Sequence, residues 1–87
     1  MIKVFLPYKI RHVLDIPAEI EANGVNLRDL IETLDIKYPG IKDHLVEEDK
    51  LRPGMSAVID GITTRLGLIH KLYEVSEIHF LPAIAGG

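Results

Sequence analysis

Asn26-Leu27-Arg28-Asp29-Leu30-Ile31-Glu32-Thr33-Leu34-Asp35-Ile36-Lys37-Tyr38-Pro39-Gly40 decides the fold class of this 87-residue chain. Leu27, Leu30, Ile31, Leu34 and Tyr38 recur at spacings of three and four, which a 3.6-residue period gathers into one apolar stripe. Asn26 stands where an N-cap belongs, because its short side chain accepts from backbone N–H groups that a first helical turn leaves unpaired. Asp29 puts negative charge at the positive end of the helix dipole. Pro39-Gly40 stops the helix, and Asn23-Gly24 marks a turn ahead of it. A helix with a single apolar stripe needs one sheet face to cover.

The flanking segments supply that sheet. Residues 1–6 alternate, with Ile2, Val4 and Leu6 on one face and Lys3 and Phe5 on the other, a strand pattern. Residues 10–16 read as a return strand, with Leu14 and Ile16 facing one way and Asp15 the other. Residues 1–6 and 10–16 then form an antiparallel hairpin broken at Pro7-Tyr8-Lys9, and Pro17 ends its second strand. Beyond the main helix, Ile41 and Leu45 close a short turn over the core, and Glu47-Glu48-Asp49-Lys50 reads as a solvated loop. Residues 55–59 form a strand ended by the tight-turn dipeptide Asp60-Gly61, and residues 62–64 a short return strand. Leu66, Leu68, Ile69 and Leu72 form an irregular apolar bridge to a last alternating strand, where Ile78 and Phe80 oppose Glu77 and His79. The fold class is α+β, a mixed four- to five-stranded sheet over one main helix, with residues 1–87 as a single domain and a flexible tail from about residue 82.

Composition narrows the function. At 47% hydrophobic residues the chain can pack a core, which argues against intrinsic disorder. Ten Lys and Arg against thirteen Asp and Glu give a formal net charge of −3, and Lys9, Arg11 and His12 are too small a basic cluster for nucleic acid. There is no cysteine, which excludes disulfides, thiolate metal sites and a cysteine nucleophile. No stretch approaches a membrane span or a signal-peptide core, so the expected compartment is the cytoplasm and no membrane partner is expected. His12, His44, His70 and His79 are scattered over different elements without ligand spacing, so no metal site is expected.

The last strand runs directly into Leu81-Pro82-Ala83-Ile84-Ala85-Gly86-Gly87, which carries no ionisable side chain and ends in two glycines. Glycine has no Cβ, so a Gly-Gly end is thin enough to thread a narrow channel and present its carboxylate to another protein's active site. The uncharged residues from Pro82 to Gly87 suit a desolvated tunnel, where a buried charge is costly. Pro82 stiffens the exit from the strand. Phe80 and Leu81 are candidates for a docking patch beside the tail, the alternative being that they fill the core.

The element order resembles the ubiquitin-like β-grasp fold, and the segment Phe80-Leu81-Pro82-Ala83-Ile84-Ala85-Gly86-Gly87 resembles the tail of the small sulfur-carrier proteins. That family includes the thiamine-biosynthesis carrier, the small subunit of molybdopterin synthase and the carrier of a cysteine-biosynthesis route. The likeness extends to the opening strand, to Leu34-Asp35-Ile36-Lys37-Tyr38-Pro39-Gly40-Ile41, to Val58-Ile59-Asp60-Gly61 and to residues 72–87. Two features depart from it: Val75-Ser76-Glu77 stands where many relatives have Gly-Asp-Glu, and Pro82 is the one proline of the tail. Ala83-Ile84-Ala85, with Leu6-Pro7-Tyr8-Lys9-Ile10-Arg11, looks closer to the cysteine-biosynthesis carriers.

The resemblance implies a carrier with no catalytic side chain and no bound cofactor. Its Gly87 carboxylate is expected to be adenylated by a partner enzyme that uses ATP and magnesium, then converted to a thiocarboxylate. The expected sulfur acceptors are a cysteine synthase-like enzyme or the large subunit of molybdopterin synthase. Two other functions fit the same residues: a ubiquitin-like modifier conjugated through Gly87, and a non-covalent β-grasp interaction module.

Overall fold

A computed structural model describes residues 1–82. Strand β1 (Ile2–Phe5) leads through helix α1 (Tyr8–Leu14) to β2 (Glu19–Ala22), followed by α2 (Leu27–Lys37) and α3 (Ile41–Leu45). Two short strands, β3 (Val46–Glu47) and β4 (Lys50–Leu51), make a small hairpin. The chain then forms β5 (Met55–Ile59), β6 (Ile62–Thr63), a 3-10 turn at Gly67–Ile69 and β7 (Glu77–Pro82). The main sheet has the order β2-β1-β7-β5-β6. Its central pair, β1 and β7, is parallel, and the other pairs are antiparallel. This is the expected β-grasp arrangement, with five strands in the sheet. Among the described residues no helix is long and apolar enough to cross a membrane.

The apolar stripe of α2 faces the sheet, and Leu27, Leu30, Ile31 and Leu34 are buried. Asn26 caps the helix as expected: its Oδ1 accepts from the Asp29 amide at 2.8 Å, while Asp29 Oδ2 accepts from the Val25 amide at 3.0 Å. At the other end Asp35 Oδ1 accepts from the amides of Gly40 and Lys42, which fastens the start of α3 to the end of α2. Gly40 makes that turn with φ +105°, a conformation that side chains disfavour. Ile2, Val4, Ile20, Ala22, Ala57, Ile59, Ile78 and Phe80 form the facing side of the core.

The turn before α2 sets a steric limit. A Cβ at Gly24 would lie 2.5 Å from the Leu30 backbone nitrogen, closer than packed atoms approach. Gly24→Ala is therefore expected to lower stability by about 1–3 kcal/mol, as overpacking does, which a urea denaturation curve would measure.

The structure corrects the second strand. Residues 8–14 form α1, and β2 begins after Pro17 rather than ending there. Pro7 precedes the helix, where its fixed φ is tolerated, and its carbonyl accepts from the Arg11 amide at 3.1 Å. Helical spacing turns Ile10 and Leu14 toward the core and leaves Val13 exposed. Asp15, at φ 55°, closes the helix, so the apparent alternation of Leu14, Asp15 and Ile16 straddles a helix end. The true alternation is in β2, with Glu19 and Glu21 exposed and Ile20 and Ala22 buried. In the bridge to β7, Leu68 and Leu72 are buried while Leu66 and Ile69 face solvent. The charged run after α3 is solvent-exposed but ordered, Glu47 pairing with Lys50 across the turn at Glu48 and Asp49.

Candidate functional site

β7 is the element that delivers the tail. It lies between β1 and β5, and its parallel pairing to β1 ends at Phe5 opposite His79. Phe80, Leu81 and Pro82 are paired with β5 alone, opposite Ala57, Ser56 and Met55. Pro82 has no N–H to donate, and the Met55 amide donates to the Arg52 carbonyl at 2.9 Å, so neither amide continues the ladder. Pro82, where the tail was expected to begin, still belongs to β7. Ala83, Ile84, Ala85, Gly86 and Gly87, the sequence-based site residues, lie outside the described residues.

Phe80 and Leu81 fall on opposite faces. Phe80 is fully buried against α2's side of the sheet, which removes it from any docking surface. Leu81 is 46% exposed on the open face, beside the root of the tail. The period of two along a strand requires this separation.

Registers across the sheet assemble a patch around Leu81. Glu19, Phe5, His79, Val58 and Thr63 lie in one row across all five strands, each opposite the next. In that row the Phe5 and His79 rings stack with centroids 4.4 Å apart and planes 12° from parallel. His79 Nε2 also lies 3.3 Å from Glu77 Oε1. The open face therefore carries an aromatic and aliphatic centre, Phe5, His79, Val58 and Leu81, bordered by Glu19 and Glu77. That is the composition of a recognition surface, apolar at its centre and charged at its rim. Phe5, Val58 and His79 were not expected as site residues. The signal for them was present, since each lies opposite to the core residues of its own strand.

His12 and His70 make local contacts. His12 stacks on Tyr8 at 5.6 Å, and His70 Nδ1 lies 2.7 Å from Thr64 Oγ1. Among the described residues no three His, Asp or Glu side chains converge on a common point. A surface of this kind can hold a partner.

Comparison with known proteins places the geometry in context. The ThiS family model matches residues 9–87. The molybdopterin synthase sulfur carrier subunit of Mycobacterium tuberculosis is 30% identical over 70 residues, covering 79% of this chain and 74% of that protein. A chain of the Amycolatopsis orientalis BexX/CysO complex superposes with a TM-score of 0.88 at 27% identity, covering 100% of both chains. The small archaeal modifier protein 1 of Methanosarcina acetivorans superposes with a TM-score of 0.77 at 27% identity, covering 99% of this chain and 95% of that one.

Proposed function

The chain belongs to the ThiS family of ubiquitin-like sulfur carriers, and from that premise we propose that it carries sulfur on the carboxylate of Gly87. The observation that carries the proposal is the position of Gly86 and Gly87 in the sequence, four and five residues past the end of a strand anchored in the core. A partner enzyme attacks the α-phosphate of ATP with the Gly87 carboxylate, releasing pyrophosphate and leaving an acyl-adenylate. Magnesium held by that enzyme offsets the phosphate charge. The step is needed because a carboxylate repels nucleophiles; the mixed anhydride is neutral at carbon and has AMP as leaving group. A hydrosulfide-equivalent donor then displaces AMP, leaving a C-terminal thiocarboxylate whose sulfur passes to an acceptor.

The chain is substrate and carrier in both steps, and the catalytic groups belong to its partners. The acceptor is an enzyme of cofactor or cysteine biosynthesis, of the molybdopterin synthase large-subunit or cysteine synthase-like kind. Docking of the folded body raises the local concentration of the tail at the reacting atoms, the proximity contribution to catalysis. The Phe5, His79, Val58 and Leu81 patch is the surface that docks. Leu81→Asp is accordingly expected to raise the KM of adenylation about tenfold, because it buries an unpaired charge in the interface, while the melting temperature stays unchanged.

The test is intact-mass spectrometry after incubation with a candidate adenylating enzyme, ATP, magnesium and sulfide, followed by a thiol alkylator. The chain has no cysteine, so a single alkyl group mapped to the Gly87 peptide reports a thiocarboxylate. Absence of label with every such enzyme that releases pyrophosphate with this chain would overturn the sulfur-carrier reading. The likeness to an archaeal modifier protein favours a second use of the same activated terminus, transfer to lysines of target proteins. That use predicts higher-mass conjugates that disappear when Gly87 is removed.

A further inference from the structure

A groove of about 460 Å³ opens beside Pro82, at the root of the tail. Pro7 and Lys9 at the start of α1 form part of its wall, with His44 of α3 and the Arg52-Pro53 segment that leads into β5. Among the described residues the side-chain ion pairs are Arg28–Asp49, Lys42–Glu32 and His79–Glu77, so no carboxylate pairs with Lys9 or Arg52. Arg52 Nη1 donates instead to the main-chain carbonyl of Asp43 at 3.0 Å, which orients the guanidinium without neutralising it. This is a local excess of positive charge in a chain whose formal net charge is −3.

We propose that this groove receives an acidic segment of the adenylating enzyme and thereby orients the body while the tail enters that enzyme's active site. The inference rests on the carrier reading above. Three features favour this occupant. The groove adjoins Pro82, so an enzyme that takes the tail covers it. The charge requires a partner of opposite sign, and opposite charges steer encounter between proteins. Pro7 and Pro53 have fixed φ, so their side of the groove is preformed and little ordering opposes binding.

The experiment measures pyrophosphate release by the adenylating enzyme that loads the wild-type chain, with Lys9→Glu, Arg52→Glu and the double variant, across a salt series. Lys50→Glu, on the exposed β3–β4 hairpin, makes the same change in net charge outside the groove. The expected result is a KM raised about tenfold by each groove substitution and further by the double, with kcat within twofold. The wild-type dependence of KM on salt should flatten in the double variant, and Lys50→Glu should leave KM within twofold. A double variant with less than a threefold change in KM overturns the proposal. So does an equal effect of Lys50→Glu, or an effect confined to later sulfur transfer. A salt-sensitive dimer of this chain that the same substitutions dissociate would assign the groove to a second copy and also overturn it. Lys9 is exposed, so Lys9→Glu carries the test alone if Arg52→Glu does not fold. A wild-type chain that supports no pyrophosphate release with any such enzyme defeats the carrier reading itself, an outcome distinct from insensitive variants of an active chain.

Discussion

Deletion of Gly87 is expected to abolish thiocarboxylate formation and leave the fold intact. The truncated chain still ends in a carboxylate, that of Gly86, so the chemistry of the terminal group is unchanged. Its position is not. One residue of extended chain spans about 3.3–3.6 Å, and misplacement of reacting atoms by about 1 Å can cost about a hundredfold in rate. The loss should therefore be at least a hundredfold, read as disappearance of the alkylated species in the mass spectrum. The buried residues of the described core all lie between Ile2 and Phe80, so the denaturation curve should superimpose on that of the full chain. Retention of labelling in the truncated chain would mean that the terminal glycine is not the acceptor of sulfur.

The same separation of tail from body explains what the amino-acid sequence made legible. α2, β5 and β7 could be read because each is amphipathic over its full length, and the burial of Leu27, Leu30, Ile31, Leu34, Ala57, Ile59, Ile78 and Phe80 follows the expected periods. α1 could not, because its seven residues hold only two inward positions, Ile10 and Leu14, and a period of four is indistinguishable from twice a period of two. The parallel pairing of β1 with β7 joins residues more than seventy positions apart, a contact that no local pattern encodes. The proposed docking patch was half legible. Alternation in β1, β5 and β7 already assigns Phe5, Val58, His79 and Leu81 to one face, but only the registers show that Phe5, His79 and Val58 share a row. The groove was illegible in principle, since Lys9, His44 and Arg52 come from three separate segments that meet only after folding.

Phe80→Ala is expected to cost about 3–5 kcal/mol of stability, the range for truncating a buried aromatic ring, while Leu81→Ala costs less than about 1 kcal/mol. Phe80 is the largest side chain in the core with no exposed surface, and its removal leaves a void that the sheet and α2 can fill only in part. A domain of this size has about 5–15 kcal/mol of total stability, so the substitution takes a large share of it. Leu81, on the adjacent position but the opposite face, leaves no cavity when shortened. Urea denaturation of the two variants would measure the difference, and equal losses would overturn the assignment of faces. The pair also separates two ways of losing function. Phe80→Ala should impair loading in proportion to the unfolded fraction and recover on cooling toward the stability maximum, because nothing at the interface has changed. Leu81→Ala should weaken docking in a fully folded chain, and lowering the temperature should not restore it.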